Sequence, residues 1–239
     1  MQSAAASLPT PGLFWGAYPE RSRPRTRGFE RLIERTVVRL QPPAALRMHA
    51  YRSFLARVAG YQAAADAAAR PELRLAELRA KLSRSGLRDE ALAQAFALVA
   101  AHCPVTLGMA PFDLQLIAAR AIVDGLLVEM ATGEGKTLAV AIAAAVAALA
   151  GIPVHVITAN DYLVERDAER LAPLYTALGL RVGRIVSRLG GAQRRAAYAC
   201  DITYCTAKEV GFDYLRDRAG ARRQRGDLRW RADRLAGRA

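Results

Sequence analysis

From residue 44 onward the apolar positions of the chain fall at helical spacing. Over 45–69, Leu46, Tyr51, Leu55, Val58 and Tyr61 recur along one face of a segment rich in helix formers, which predicts a helix. Pro71 opens a second helix, over 71–82, and Ser85-Gly86 breaks it. A third spans 89–101 with Leu92, Phe96, Leu98 and Val99 inward. After a loop around Gly108, Pro111 and Asp113 mark the start of a fourth, with Asp113 a candidate cap. The pattern then changes. A short apolar run at 126–130 reads as a buried strand, and 138–150 as a glycine-free apolar helix ended by Gly151 and Pro153. A buried parallel strand at 153–158 and further strands at 181–186 and 201–206 alternate with helices at 162–178, 193–199 and 207–216. Asn160 or Asp161 caps the first of these helices. Such alternation defines an α/β fold with a parallel, doubly wound sheet, whose ligands sit at the carboxyl ends of the strands.

Outside this span the patterning is weak. Residues 1–28 mix Pro, Gly and Arg without a period and read as a basic, mostly disordered extension. A short helix over 29–40 places Leu32, Ile33, Val37 and Leu40 together before Pro42-Pro43 stops it. The expected organisation is an extension (1–43), a helical subdomain (44–104), an α/β nucleotide-binding segment (105–218) and an arginine-rich tail (219–239).

The chemistry concentrates between the 126–130 run and the alanine-rich helix, in Thr132-Gly133-Glu134-Gly135-Lys136-Thr137. Strand, glycine turn, Lys-Thr and helix make up a phosphate-binding loop. Glycines let backbone N–H groups converge on phosphate oxygens, and the helix N-terminus adds a positive dipole end. Lys136 supplies a point charge for the outer phosphates, and the Thr137 hydroxyl is the candidate magnesium ligand. The longer form of the motif requires glycine where Met130 stands, so this is the compact form found in helicase-like motors. Upstream, Gln115 sits one turn into a helix, where its amide can donate to and accept from an adenine edge; Met109 and Phe112 are placed to sandwich the base. A plain solvated glutamine is the other reading of Gln115.

The formal charge is +13, from 35 Lys and Arg against 22 Asp and Glu. Nucleic acid, acidic headgroups and acidic protein tails all match that sign, and so does an arginine-rich composition with no anionic partner. Cys103, Cys200 and Cys205 show neither metal-ligand spacing nor a disulfide framework, which points to a reducing compartment. The N-terminus lacks signal-peptide character, and the 138–150 run falls short of the roughly 20 strongly apolar residues that span a bilayer. The expectation is a soluble protein.

Four blocks resemble the SecA preprotein translocase ATPase family, in the N-terminal part of its DEAD-type motor domain. They are Gly108-Met109 with Phe112-Asp113-Leu114-Gln115; Glu129-Met130 with Thr132-Gly133-Glu134-Gly135-Lys136-Thr137-Leu138; Val154-His155-Val156-Ile157-Thr158-Ala159-Asn160-Asp161-Tyr162-Leu163 with Arg166-Asp167-Ala168-Glu169; and Ala199-Cys200-Asp201-Ile202-Thr203-Tyr204 with Gly211-Phe212-Asp213-Tyr214-Leu215-Arg216-Asp217. Asn-Asp-Tyr-Leu and Gly-Phe-Asp-Tyr-Leu-Arg-Asp are similar to that family and not to helicases at large. Where the family carries Gly-Thr-Asn-Asn-Glu this chain has Cys205-Thr206-Ala207-Lys208-Glu209, and Ala131 replaces a residue often polar or basic, as in a divergent branch.

The resemblance implies an incomplete RecA-like P-loop NTPase domain preceded by a small helical subdomain. It also implies ATP and magnesium as cofactors, with Gln115, Met109 and Phe112 at adenine, Thr132, Gly133, Glu134, Gly135 and Lys136 at phosphate, and Thr137 at the metal. Lys136 and Thr137 are the catalytic candidates. Asp161, Arg166 and Asp213 are expected either to couple domains or to act as local caps and ion pairs. The family's acidic Asp-Glu-x-Asp strand has no counterpart after Asp217, so the chain is expected to be the front third of such a motor, binding nucleotide but hydrolysing it poorly alone. Implied partners are the SecYEG translocon, unfolded preprotein, the remaining motor domains and, through the basic extension, acidic phospholipid. The implied location is cytoplasmic and peripheral to the plasma membrane. A nucleic-acid helicase fragment and a non-catalytic interaction module are the alternatives.

Overall fold

A computed structural model describes residues 44–66 and 71–224. The helix expected over 29–40, the N-terminal extension and the tail beyond 224 lie outside these residues. Helices α1 (Ala44–Asp66), α2 (Pro71–Ser85), α3 (Asp89–Leu107), α4 (Asp113–Val123) and α5 (Lys136–Leu149) come first. They are followed by β1 (Val154–Thr158), α6 (Asp161–Ala177), β2 (Val182–Arg184), α7 (Gly191–Tyr198), β3 (Ile202–Thr206) and α8 (Ala207–Gln224).

Helix α3 is the axle of the core. Leu92, Phe96, Val99 and Cys103 lie buried along it, and Phe96 meets Phe54 of α1 edge-on with ring centroids 5.1 Å apart. By length and composition α3 is apolar enough to cross a membrane, but its side chains are spent on this core. It runs past the expected end at 101, through Pro104, to Leu107. Burial of Val99, Ala100 and Cys103 outweighs the one helix N–H that Pro104 removes. Helix α5 packs against α3 and α4. Ala139, Ala141 and Ala145 on it are fully buried, and such small side chains let neighbouring helices approach closely. The helices of 44–104 therefore share one continuous core with α5, α6 and β3. From α2, Arg79 donates to the carbonyls of Leu178 and Gly179 at 3.0 and 2.9 Å, closing the C-terminal end of α6.

The sheet is parallel with strand order β1-β3-β2. All five residues of β3 are buried, and Val154 of β1 and Val182 of β2 both register with Ile202. Helix α6 lies over it, where the Tyr175 and Tyr204 hydroxyls meet at 2.8 Å.

Two expectations are corrected. The strand over 153–158 forms as β1 but is half-open: Val156 is buried, whereas His155 is exposed and Ile157 is 56% exposed. The strand expected over 126–130 does not form, and Leu127 is fully exposed. Its first donor is already committed, because Leu126 N–H closes α4 on the Ala121 carbonyl at 2.9 Å beside a Gly125 to Ile122 bond. Among the described residues no strand offers the segment a ladder, so its backbone stays with solvent.

Candidate functional site

The expected phosphate loop lies between the end of α4 and the start of α5. A turn closes at Ala131, whose carbonyl accepts the Glu134 N–H at 3.4 Å. Gly133 and Gly135 adopt φ of +91° and +78°, left-handed values that L side chains rarely tolerate. Gly135 caps α5, and among the described residues no side chain caps the helix's first turn. Free N–H groups at the head of a helix attract anions through their partial positive charge. Lys136 and Thr137 are the first two residues of that helix, Lys136 exposed and Thr137 half-buried. Thr132 is exposed at the turn. A phosphate group fits this loop by its backbone conformation, its uncapped helix end and its ammonium group.

Three side chains hold the loop. Lys136 Nζ donates to the Ala131 carbonyl at 2.9 Å. The Glu134 carboxylate accepts the Ala131 N–H at 2.8 Å. Gln115, buried in the first turn of α4, donates Nε2 to the Glu134 carbonyl at 2.9 Å, while its Oε1 accepts the Phe112 N–H at 3.1 Å. One amide thus caps α4 and ties it to the loop, and the cap expected from Asp113 falls to Gln115 instead. Among the described residues, two of the four hydrogen-bonding positions of that amide are used, which leaves one hydrogen and one lone pair. Phe112, whose N–H donates to the amide oxygen, is 74% exposed, and Met109, three residues earlier in the chain, is 40% exposed. The fold brings Gln115 onto the loop directly, and Phe112 next to it; Met109 precedes them with its side chain open to solvent. Ala131, whose N–H and C=O are the hub of these contacts, is not evident as such in the sequence.

A second polar cluster joins α7 to α8. Arg194 is buried and donates to Glu209 at 2.6 Å, to Asp213 at 2.9 Å and to the carbonyls of Val186 and Leu189 at 3.1 and 2.9 Å. Tyr198 and Arg216 also donate to Asp213, at 3.0 and 2.6 Å. Burial and the Asp213 carboxylate raise the Tyr198 phenol well above its ordinary range. The only sequence signal for this cluster is the i,i+4 pair Glu209 and Asp213 on one helix face. The candidates for coupling residues all have local partners. Asp213 sits in this cluster, Asp161 accepts from Ser187 N–H and Oγ at 2.9 and 2.7 Å, and Arg166 pairs with Asp167 at 2.7 Å.

A parallel α/β sheet with a glycine turn, lysine and threonine at the head of a buried helix defines a phosphate-loop protein. Residues 38–231 match the SecA DEAD-like domain, and the chain belongs to that family. It is 41% identical to the protein translocase subunit SecA 2 of Nitrosospira multiformis over 221 residues, which cover 91% of this chain and 33% of that protein. It is 48% identical to the protein translocase subunit SecA 2 of Bordetella avium over 80% of this chain and 28% of the relative. Against the protein translocase subunit SecA of Methylococcus capsulatus the identity is 53% over 59% of this chain and 16% of the relative. The chain spans a third or less of the length of these relatives.

Proposed function

We propose that this chain is the ATP-binding segment of a SecA-type motor that moves preproteins across the bacterial cytoplasmic membrane. The observation that carries the reading is the pairing of an uncapped α5 N-terminus with Lys136 on a loop that Gln115 anchors to α4. Gly133, Glu134 and Gly135 would present backbone N–H groups to phosphate, with Thr132 at the rim. Lys136 would neutralise the outer phosphates once it leaves the Ala131 carbonyl, and Thr137 would offer its hydroxyl to magnesium. The free hydrogen and lone pair of Gln115 would read the adenine edge between Met109 and Phe112. ATP with magnesium supplies the free energy of phosphoanhydride cleavage.

Relatives of this family are named translocase subunits and are at least three times as long as the matched segment, so transport and hydrolysis are proposed for the longer machine. In it, residues 44–104 are the helical lead-in and 105–218 the nucleotide-binding segment. SecYEG and unfolded preprotein are the proposed partners, acidic phospholipid a contact of the basic extension, and the cytoplasmic membrane face the location. The test replaces the matching segment of the Nitrosospira relative with this chain and measures ATP-dependent, protease-protected uptake of an unfolded preprotein into SecYEG vesicles. Uptake that Lys136→Ala abolishes supports the proposal, and uptake indifferent to Lys136→Ala contradicts it.

A further inference from the structure

The phosphate loop is closed by its own side chains. Glu134 places a carboxylate oxygen 2.8 Å from the Ala131 N–H, within the same turn whose carbonyl holds Lys136 at 2.9 Å. Gln115 fixes the Glu134 carbonyl from the other side at 2.9 Å, so the residue is gripped at backbone and side chain together. A carboxylate on a backbone N–H of this loop takes, through a charge-assisted bond, a donor of the kind that an anionic ligand seeks. The other contact holds the site's cation: Lys136 gives one of its three donors to a neutral carbonyl, where a phosphate oxygen would be the stronger acceptor.

We propose that Glu134 is an internal competitor of the nucleotide: its carboxylate holds the Ala131 N–H and keeps the loop closed, and must swing away before phosphate is bound. The inference rests on the nucleotide-binding reading above and adds a regulatory element to it. Glu134 then sets how much nucleotide is needed to open the loop. Its backbone N–H belongs to the cradle while its side chain opposes filling it. A partner that drew the Glu134 carboxylate outward would raise nucleotide affinity without touching the ligand.

The experiment measures equilibrium binding of a fluorescent ATP analogue with magnesium, and competition by pyrophosphate and by adenosine, on the full chain. Glu134→Ala should bind the analogue about tenfold more tightly, the size expected when one charge-assisted bond no longer competes. Glu134→Gln should show a smaller gain, because the amide still reaches Ala131 without the charge. Pyrophosphate affinity should rise in parallel, and adenosine affinity should stay unchanged, since adenosine offers no phosphate to the loop. A residue that only braced the turn would shift all three ligands alike. Unchanged or weaker binding by Glu134→Ala, with Lys136→Ala still abolishing binding, overturns the inference and leaves the site reading intact. Absence of binding in every variant overturns both.

Discussion

A methyl group on Gly135 would overlap Nε2 of Gln115, the amide that ties α4 to the phosphate loop, and would lie 3.3 Å from Gln115 Cδ. The glycine that heads α5 is therefore required twice, by its φ of +78° and by the side chain packed against it. Gly135→Ala should cost about 1–2 kcal/mol from the left-handed backbone alone. It should also push Gln115 off the Glu134 carbonyl. The check is a urea midpoint together with ATP binding: the variant should unfold earlier and bind more weakly. A variant with native stability and affinity would show that the tie is dispensable.

The Arg194 cluster should behave as one structural unit. Arg194→Ala leaves the buried Glu209 carboxylate without its cation and Asp213 with Arg216 alone, a change worth about 3–5 kcal/mol. The denaturation midpoint should drop accordingly. Glu209→Gln, which keeps a hydrogen-bond acceptor in place, should lose less.

Asp161 gives stability a pH dependence of defined sign. The N–H and then the hydroxyl of Ser187 hold its carboxyl below the ordinary value of 3.8. A carboxyl whose pKa is depressed by folding contributes above its unfolded value, and the contribution is lost as pH falls through the folded one. The stability gap between this protein and Asp161→Asn should be full at neutral pH and close as pH falls below 3.8. In an NMR titration, Ser187→Ala should bring the Asp161 carboxyl back toward that value.

Thiol reactivity should separate the cysteines. Burial pushes the Cys103 thiol up to about 11, and burial followed by the Asp213 carboxylate does the same for Cys205. Both stay protonated at pH 8 and out of reach, while Cys200 is half-buried. A disulfide reagent should modify Cys200 first and the other two only on unfolding. Equal, fast reaction at all three would contradict the packing of α3 and β3.

Much of this was legible in the sequence, and the misses share a cause. The loop, α5, α6 and β3 were readable because glycine turns, apolar periodicity and the Asn160 cap are local signals. The cap is seen directly, as Asn160 Oδ1 accepts the Leu163 N–H at 2.9 Å. The 126–130 run has the composition of a strand, but a strand also needs a neighbour, and composition does not carry that. Half-exposed β1 misled in the same way. The helix expected over 89–101 continues through Pro104 to Leu107, because the burial that holds its last turns is a property of the fold and not of the local sequence. Arg194 resembles any surface arginine in an arginine-rich chain; only the fold brings Glu209 and Asp213 to it.

If the loop from Ala131 to Thr137 binds the phosphates of ATP, Lys136 is the residue whose removal shows it. Its side chain is exposed and, among the described residues, hydrogen-bonds the Ala131 carbonyl alone, so Lys136→Ala should leave the unfolding free energy within about 0.5 kcal/mol of the parent. Calorimetric titration with ATP and magnesium should then show binding to the parent chain and at least about a tenfold loss in the variant. Equal affinity in the two proteins, or no binding by a parent chain that unfolds cooperatively, would contradict the account.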